Sequence, residues 1–152
     1  MPTKFMNFLA ILVFCVGANP AQAQTITRVQ TLSFGTFALR DNNAPHALRV
    51  SRTNVVTADS EFALFTAPTR GEYSMSGFPT DTPFTVSIPD TALTSGGGGS
   101  FDLGQFTPGS GLSTDSSGNA DLRFGATLTT SGTGGNYTDG SYSGTIDITV
   151  NY

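Results

Sequence analysis

From residue 24 onward the apolar positions recur every second residue, and no stretch sustains the i, i+3, i+4, i+7 spacing of a helix. The C-terminal segment SYSGTIDITVNY shows the period best. Tyr142, Gly144, Ile146, Ile148, Val150 and Tyr152 share one parity, and Ser143, Thr145, Asp147, Thr149 and Asn151 share the other. This predicts a half-buried strand that ends with the chain. Leu122, Phe124, Ala126 and Leu128 predict a second clean strand. Shorter alternations fall at Leu48 and Val50, at Tyr73 and Met75, at Phe84, Val86 and Ile88, and at Phe101 and Leu103. Leu32 and Phe34 alternate, and Phe37 and Leu39 resume on the other parity, which puts a bulge at Gly35. EFALFT (Glu61 to Thr66) is continuously apolar, as in a strand covered on both faces.

Turn residues separate these runs, among them Asp41-Asn42-Asn43, Pro68 to Gly71, Gly77-Phe78-Pro79, Pro89-Asp90 and Pro108-Gly109. About eight short strands between such turns predict an all-β antiparallel sandwich or barrel. SGGGGS (95–100) reads as a mobile loop joining two strands, since alternation resumes at Phe101. The expected core includes Phe34, Phe84, Val86, Phe124, Ile146, Ile148 and Val150.

The first residues do not share this pattern. Lys4, an apolar run from Phe8 to Val16 and the small-x-small triplet Ala21-Gln22-Ala23 make a secretory signal peptide over 1–23, cleaved before Gln24. The run is short of the roughly 20 residues that span a bilayer. The expectation is therefore a domain over 24–152, secreted through the periplasm toward the cell surface, with no stable membrane insertion after cleavage. Cys15 leaves with the leader, and no disulfide or thiol chemistry remains. Lys4 leaves too, so six arginines face eleven acids, a formal charge of −5. No clustered basic face is left for nucleic acid or anionic lipid.

Chemistry-bearing constellations are sparse. His46 is the only histidine and falls in DNNAPHA, read as a solvated loop; without a second His or a Cys it builds no zinc site. The string GSYSG (140–144) centres Tyr142 in a strand rather than a serine in a nucleophile elbow. Asp102, Asp121 and Asp147 each lie on the polar parity of an expected strand, where two of them could pair as in a glycosidase. Solvated outer-face charges are the plainer reading. Asp115, Ser117, Asn119 and Asp121 alternate in DSSGNAD as a calcium candidate, but the EF-hand pattern is not met. No catalytic residue and no cofactor is expected.

TLSFGTFAL (31–39), GEYSMSGFP, PFTVSIP, ADLRFGATLTT and the closing GSYSGTIDITVNY resemble, in that order, the bacterial secreted family known as domain of unknown function 4402. More distantly they resemble spore coat U and fimbrial-subunit β-domains. The resemblance implies a single immunoglobulin-like sandwich with a structural or adhesive surface role. It also implies a pilin-like subunit that assembles by strand addition with partner subunits, or as a homo-oligomer, and that engages a periplasmic chaperone. The chain lacks the cysteine pair of the spore coat U pattern and carries the longer insertion ALRDNNAPHALRV.

The final strand, Tyr142 to Tyr152, is expected to pair beside the first strand of its own sandwich or to serve assembly, because an unpaired apolar edge aggregates. QTITRVQ would be the donor, although Ile26 and Val29 are out of step. The alternative function is a soluble carbohydrate- or ligand-binding module.

Overall fold

The computed structural model describes residues 23–152, so most of the expected leader, including Ala21, lies outside the described residues. Among the described residues every element is a strand: β1 (Thr25–Gln30), β2 (Thr36–Leu39), β3 (Ala47–Val50), β4 (Val56–Ala58), β5 (Phe62–Thr66), β6 (Gly71–Ser76), β7 (Pro83–Ser87), β8 (Thr91–Thr94), β9 (Ser100–Thr107), β10 (Leu112–Ser113), β11 (Ala120–Thr129) and β12 (Thr149–Asn151). Twelve strands replace the expected eight or so. The additional ones are edge pieces of two to six residues, too short or too polar to carry a period of two.

All pairing is antiparallel. A seven-stranded sheet runs β1-β6-β11-β3-β4, with β9 also on β11 and β8 on β9. The facing layer comes in two pieces, β10-β7-β12 and the ribbon β2-β5. β11 is the hub. Residues 120–124 pair with β6, 126–129 with β3, and 125–129 with β9. Its inward side chains reach both hydrophobic clusters. Leu122 and Phe124 join Met75, Phe78 and Phe84, while Ala126 and Leu128 join Leu48, Val50, Phe101 and Leu103. The Phe124 ring lies over its cross-strand partner Gly71, where a Cβ would come within 2.4 Å of the ring.

The bulge expected at Gly35 is present. Gly35 has φ +70°, a conformation that costs other residues energy, and the β2–β5 register slips between Thr36 and Phe37. SGGGGS forms the β8–β9 hairpin connection, and the Thr138 hydroxyl donates to the Gly97 carbonyl (2.9 Å).

Three expectations need correction. EFALFT is not covered on both faces: Phe62 is buried, but Phe65 is 71 % exposed, because among the described residues β5 pairs only with β2 and none covers the ribbon's outer side. The last strand does not lie beside the first: β12 pairs with β7 and β1 with β6. The long strand expected over Tyr142 to Tyr152 is laddered only at Thr149–Asn151, with one bridge from Ser143 to Thr94. The tail leaves β8 to reach β7, so Gly144 to Ile148 run between two partners and pair with neither. The parity itself holds, with Ile146, Ile148 and Val150 half-buried and Asp147, Thr149 and Asn151 exposed. Tyr152 is 59 % exposed and stands edge-on to Phe78.

Candidate strand-acceptor groove

Between the segment that carries β2 and the chain that leads toward β12 lies a groove of about 1490 Å³. One wall is Thr31 to Asn43, and the other is Gly134 to Ile146. The floor includes Phe101, Leu103, Phe124 and Leu128, which are core residues of the seven-stranded sheet. The walls run as main chain with little ladder. β2 has β5 as its one strand partner, and all four of its residues also line the groove. The opposite wall carries the single Ser143–Thr94 bridge.

Asn42 closes one end. Its side chain, 7 % exposed, donates to the Gly135 carbonyl (2.8 Å) and accepts from the Gly132 amide (3.0 Å), and its carbonyl accepts from Gly134 (2.7 Å). The two walls are thereby tied through one amide. Next to it Tyr137 stacks flat on Phe101, with ring centroids 4.1 Å apart, and its hydroxyl donates to Ser100 (3.2 Å). At the other end Leu32 and Ile146 each pack against both clusters. Arg28 and Arg40 balance Asp41 and Asp139 around the groove, so charge selects little there. Nothing in the alternating pattern pointed to Asn42 or Tyr137, because a loop residue that ties two loops has no periodicity.

The family model described as "Domain of unknown function (DUF4402)" matches residues 25–152. The chain belongs to the DUF4402 family. No curated protein and no solved structure matches it.

In this DUF4402 domain the sequence-derived chemical candidates are dispersed. Asp102 pairs with Thr129, while Asp121 lies eight positions back along β11, roughly 26 Å away at a strand's rise. Asp147 is exposed in the tail. The DSSGNAD residues form a turn. Asp115 Oδ1 accepts the Ser117 and Asn119 amides, both at 2.8 Å, and these bonds, that from Asn119 foremost, lower the carboxyl's pKa. Asp121 turns instead to Arg123 (3.5 Å). Among the described residues no group of three or more His, Cys, Asp or Glu could hold a metal ion. His46 is not the solvated residue expected: its side chain is 15 % exposed and lies 3.4 Å from Glu61 and 3.9 Å from both Asp41 and Asp59. Chain reversal brings these acids around it, which spacing along the sequence does not reveal.

One charged cluster marks where β1 joins the sheet. Glu72 on β6 accepts from Arg70 (2.8 Å) and Arg123 (3.0 Å) and is the ladder partner of Gln30. The hydrogen bond from Arg70, then that from Arg123, lowers its carboxyl below the ordinary value. β1 itself is exposed at every position from Thr25 to Val29. Its parity break, read from Ile26 and Val29, is absorbed by a register shift between Arg28 and Gln30.

Proposed function

We propose that this is an exported, non-enzymatic, structural or adhesive surface protein whose groove accepts an extended segment of a second copy by strand addition. The observation that carries the reading is the groove itself. Its floor is the core, and its walls offer main chain with few ladder partners. An extended segment answers both needs, since its backbone pairs at the edges and its apolar side chains enter the floor. The donor we assign is Gln24 to Gln30 of the neighbouring copy. Cleavage before Gln24 would make this segment terminal; it is exposed and, among the described residues, has β6 as its one strand partner, so little burial is lost when it leaves. The leader-like residues 1–23 support export, and a periplasmic chaperone would cover the groove before assembly.

The test is the state of the exported protein on denaturing gels, unheated against boiled, with negative-stain imaging. A ladder that collapses on boiling, with fibres, is expected, and deletion of Gln24 to Gln30 should abolish both. A single monomer band without fibres would overturn the reading in favour of a ligand-binding module. No polysaccharide hydrolysis is expected; an activity lost when Asp102, Asp121 and Asp147 are neutralised together would defeat the non-enzymatic assignment.

A further inference from the structure

The two ends of the described chain meet. The Gln24 side-chain amide nitrogen, Nε2, donates to the Tyr152 hydroxyl. The Tyr152 ring in turn stands against Phe78, centroids 5.5 Å apart. Gly77 permits the approach, since a Cβ there would lie 2.5 Å from the Ala23 carbonyl oxygen. Strand β1 begins one residue later, at Thr25.

Cleavage after Ala23, the reading on which this inference rests, makes Gln24 the first residue. It then carries a free α-amine on Cα and, two methylenes away on its side chain, a carboxamide. These two groups close to a five-membered lactam. The amine nitrogen attacks Cδ, the Cδ–Nε2 bond breaks, and Nε2 leaves with the displaced proton as ammonia. No oxidant, reductant or second reactant is needed.

We propose that Gln24 is a modification site that closes to a pyroglutamyl end, and that the Tyr152 hydroxyl delays closure in the folded domain. A carboxamide donated across to Tyr152 is not folded back on its own amine. The departing nitrogen is also the atom that makes the clasp, so closure and clasp exclude each other. Once closed, the end carries no terminal positive charge and has lost its bond to Tyr152. β1 then begins with nothing holding its first residue to the C-terminus through that amide.

The full chain, exported with its own leader from a bacterial host, is followed by intact mass and by the mass of the N-terminal peptide. Freshly exported folded monomer, with β1 still on its own β6, should begin at Gln24 with its amide present and lose one ammonia on incubation, and the denatured protein should lose it faster. Tyr152→Phe keeps the ring, at a position 59 % exposed, and removes only the hydroxyl. It should close about fivefold faster than wild type when folded, the factor one ordinary hydrogen bond supplies, and at the wild-type rate in denaturant. An amide that stays intact in denaturant overturns the modification. Equal rates for folded wild type and Tyr152→Phe overturn the delaying role. A first residue other than Gln24 overturns the cleavage reading itself, and is distinguished from the other two by the peptide's sequence.

Discussion

Strand β11 and the tail from Tyr142 to Tyr152 are written in the same hand, yet they fold differently. Both alternate cleanly, and both touch both hydrophobic clusters: β11 through Leu122, Phe124, Ala126 and Leu128, the tail through Tyr142, Ile146, Ile148 and Val150. β11 has three ladder partners and inward residues that are 0–1 % exposed. The tail has a three-residue ladder, a single bridge, and inward side chains at Tyr142, Ile146, Ile148 and Val150 that stay half-buried. Alternation tells which face of a strand meets the core. It carries no information on whether both edges find partners, because edges are main chain and every residue has the same main chain. The groove lies on the side where that second condition fails.

The largest effect should come from the centre. Phe124→Ala removes a ring that is 1 % exposed and stacked on Tyr73 at 6.0 Å, and should cost about 3–5 kcal/mol in urea unfolding. Gly125→Ala comes next. A Cβ there would lie 2.1 Å from the Val50 carbonyl oxygen, at the point where β11 passes from β6 to β3. The backbone must move, at about 1–3 kcal/mol, the usual range for overpacking. In the tail, Ile148→Ala should cost about 1–2 kcal/mol, below the range for a fully buried isoleucine because the site is only half-covered. An Ile148 effect equal to that of Phe124 would break the comparison, since it would make the tail as much a core strand as β11.

How far the sequence reached follows from the same distinction. The strands at Leu48, Tyr73, Phe84, Phe101 and Leu122 were legible because each buries one face against a second layer. The all-β class followed from them. β4, β8 and β10 were not legible: they are edge pieces of two to four residues, held by main-chain bonds to a neighbour. EFALFT misled because its composition reports hydrophobicity, while its cover depends on how many layers the topology provides. The groove was legible only as a doubt about where the last strand would pair. Its walls are segments 31–43 and 134–146, mostly irregular apart from β2, and its closing residue Asn42 looks like any turn asparagine. His46 was misread for a related reason. Its three acidic neighbours come from two sides of the 47–58 excursion, Asp41 before it and Asp59 and Glu61 after it.

The smallest effect sharpens the contrast at the place where the proposed donor strand meets the sheet. Glu72 is held by Arg70 and Arg123, and its ladder neighbours are Gln30 of β1 and Arg123 of β11. Because its carboxyl pKa is lowered in the folded protein, the unfolded chain binds the proton first as pH falls. The stabilisation is therefore complete above the ordinary carboxylate value of 4.5 and is lost as pH drops through the lowered folded one. The pairs are near the surface, so salt should weaken the effect. Hydrogen exchange places the loss in the structure. On acidification, amides of β1 should lose protection before those of β11, since β1 has one strand partner and almost no buried side chain. Glu72→Gln should remove the pH dependence of β1 protection and leave β11 as in wild type. If β1 and β11 instead lose protection together, β1 is part of the same cooperative unit as the core, and a strand so integrated is a poor donor to a second copy.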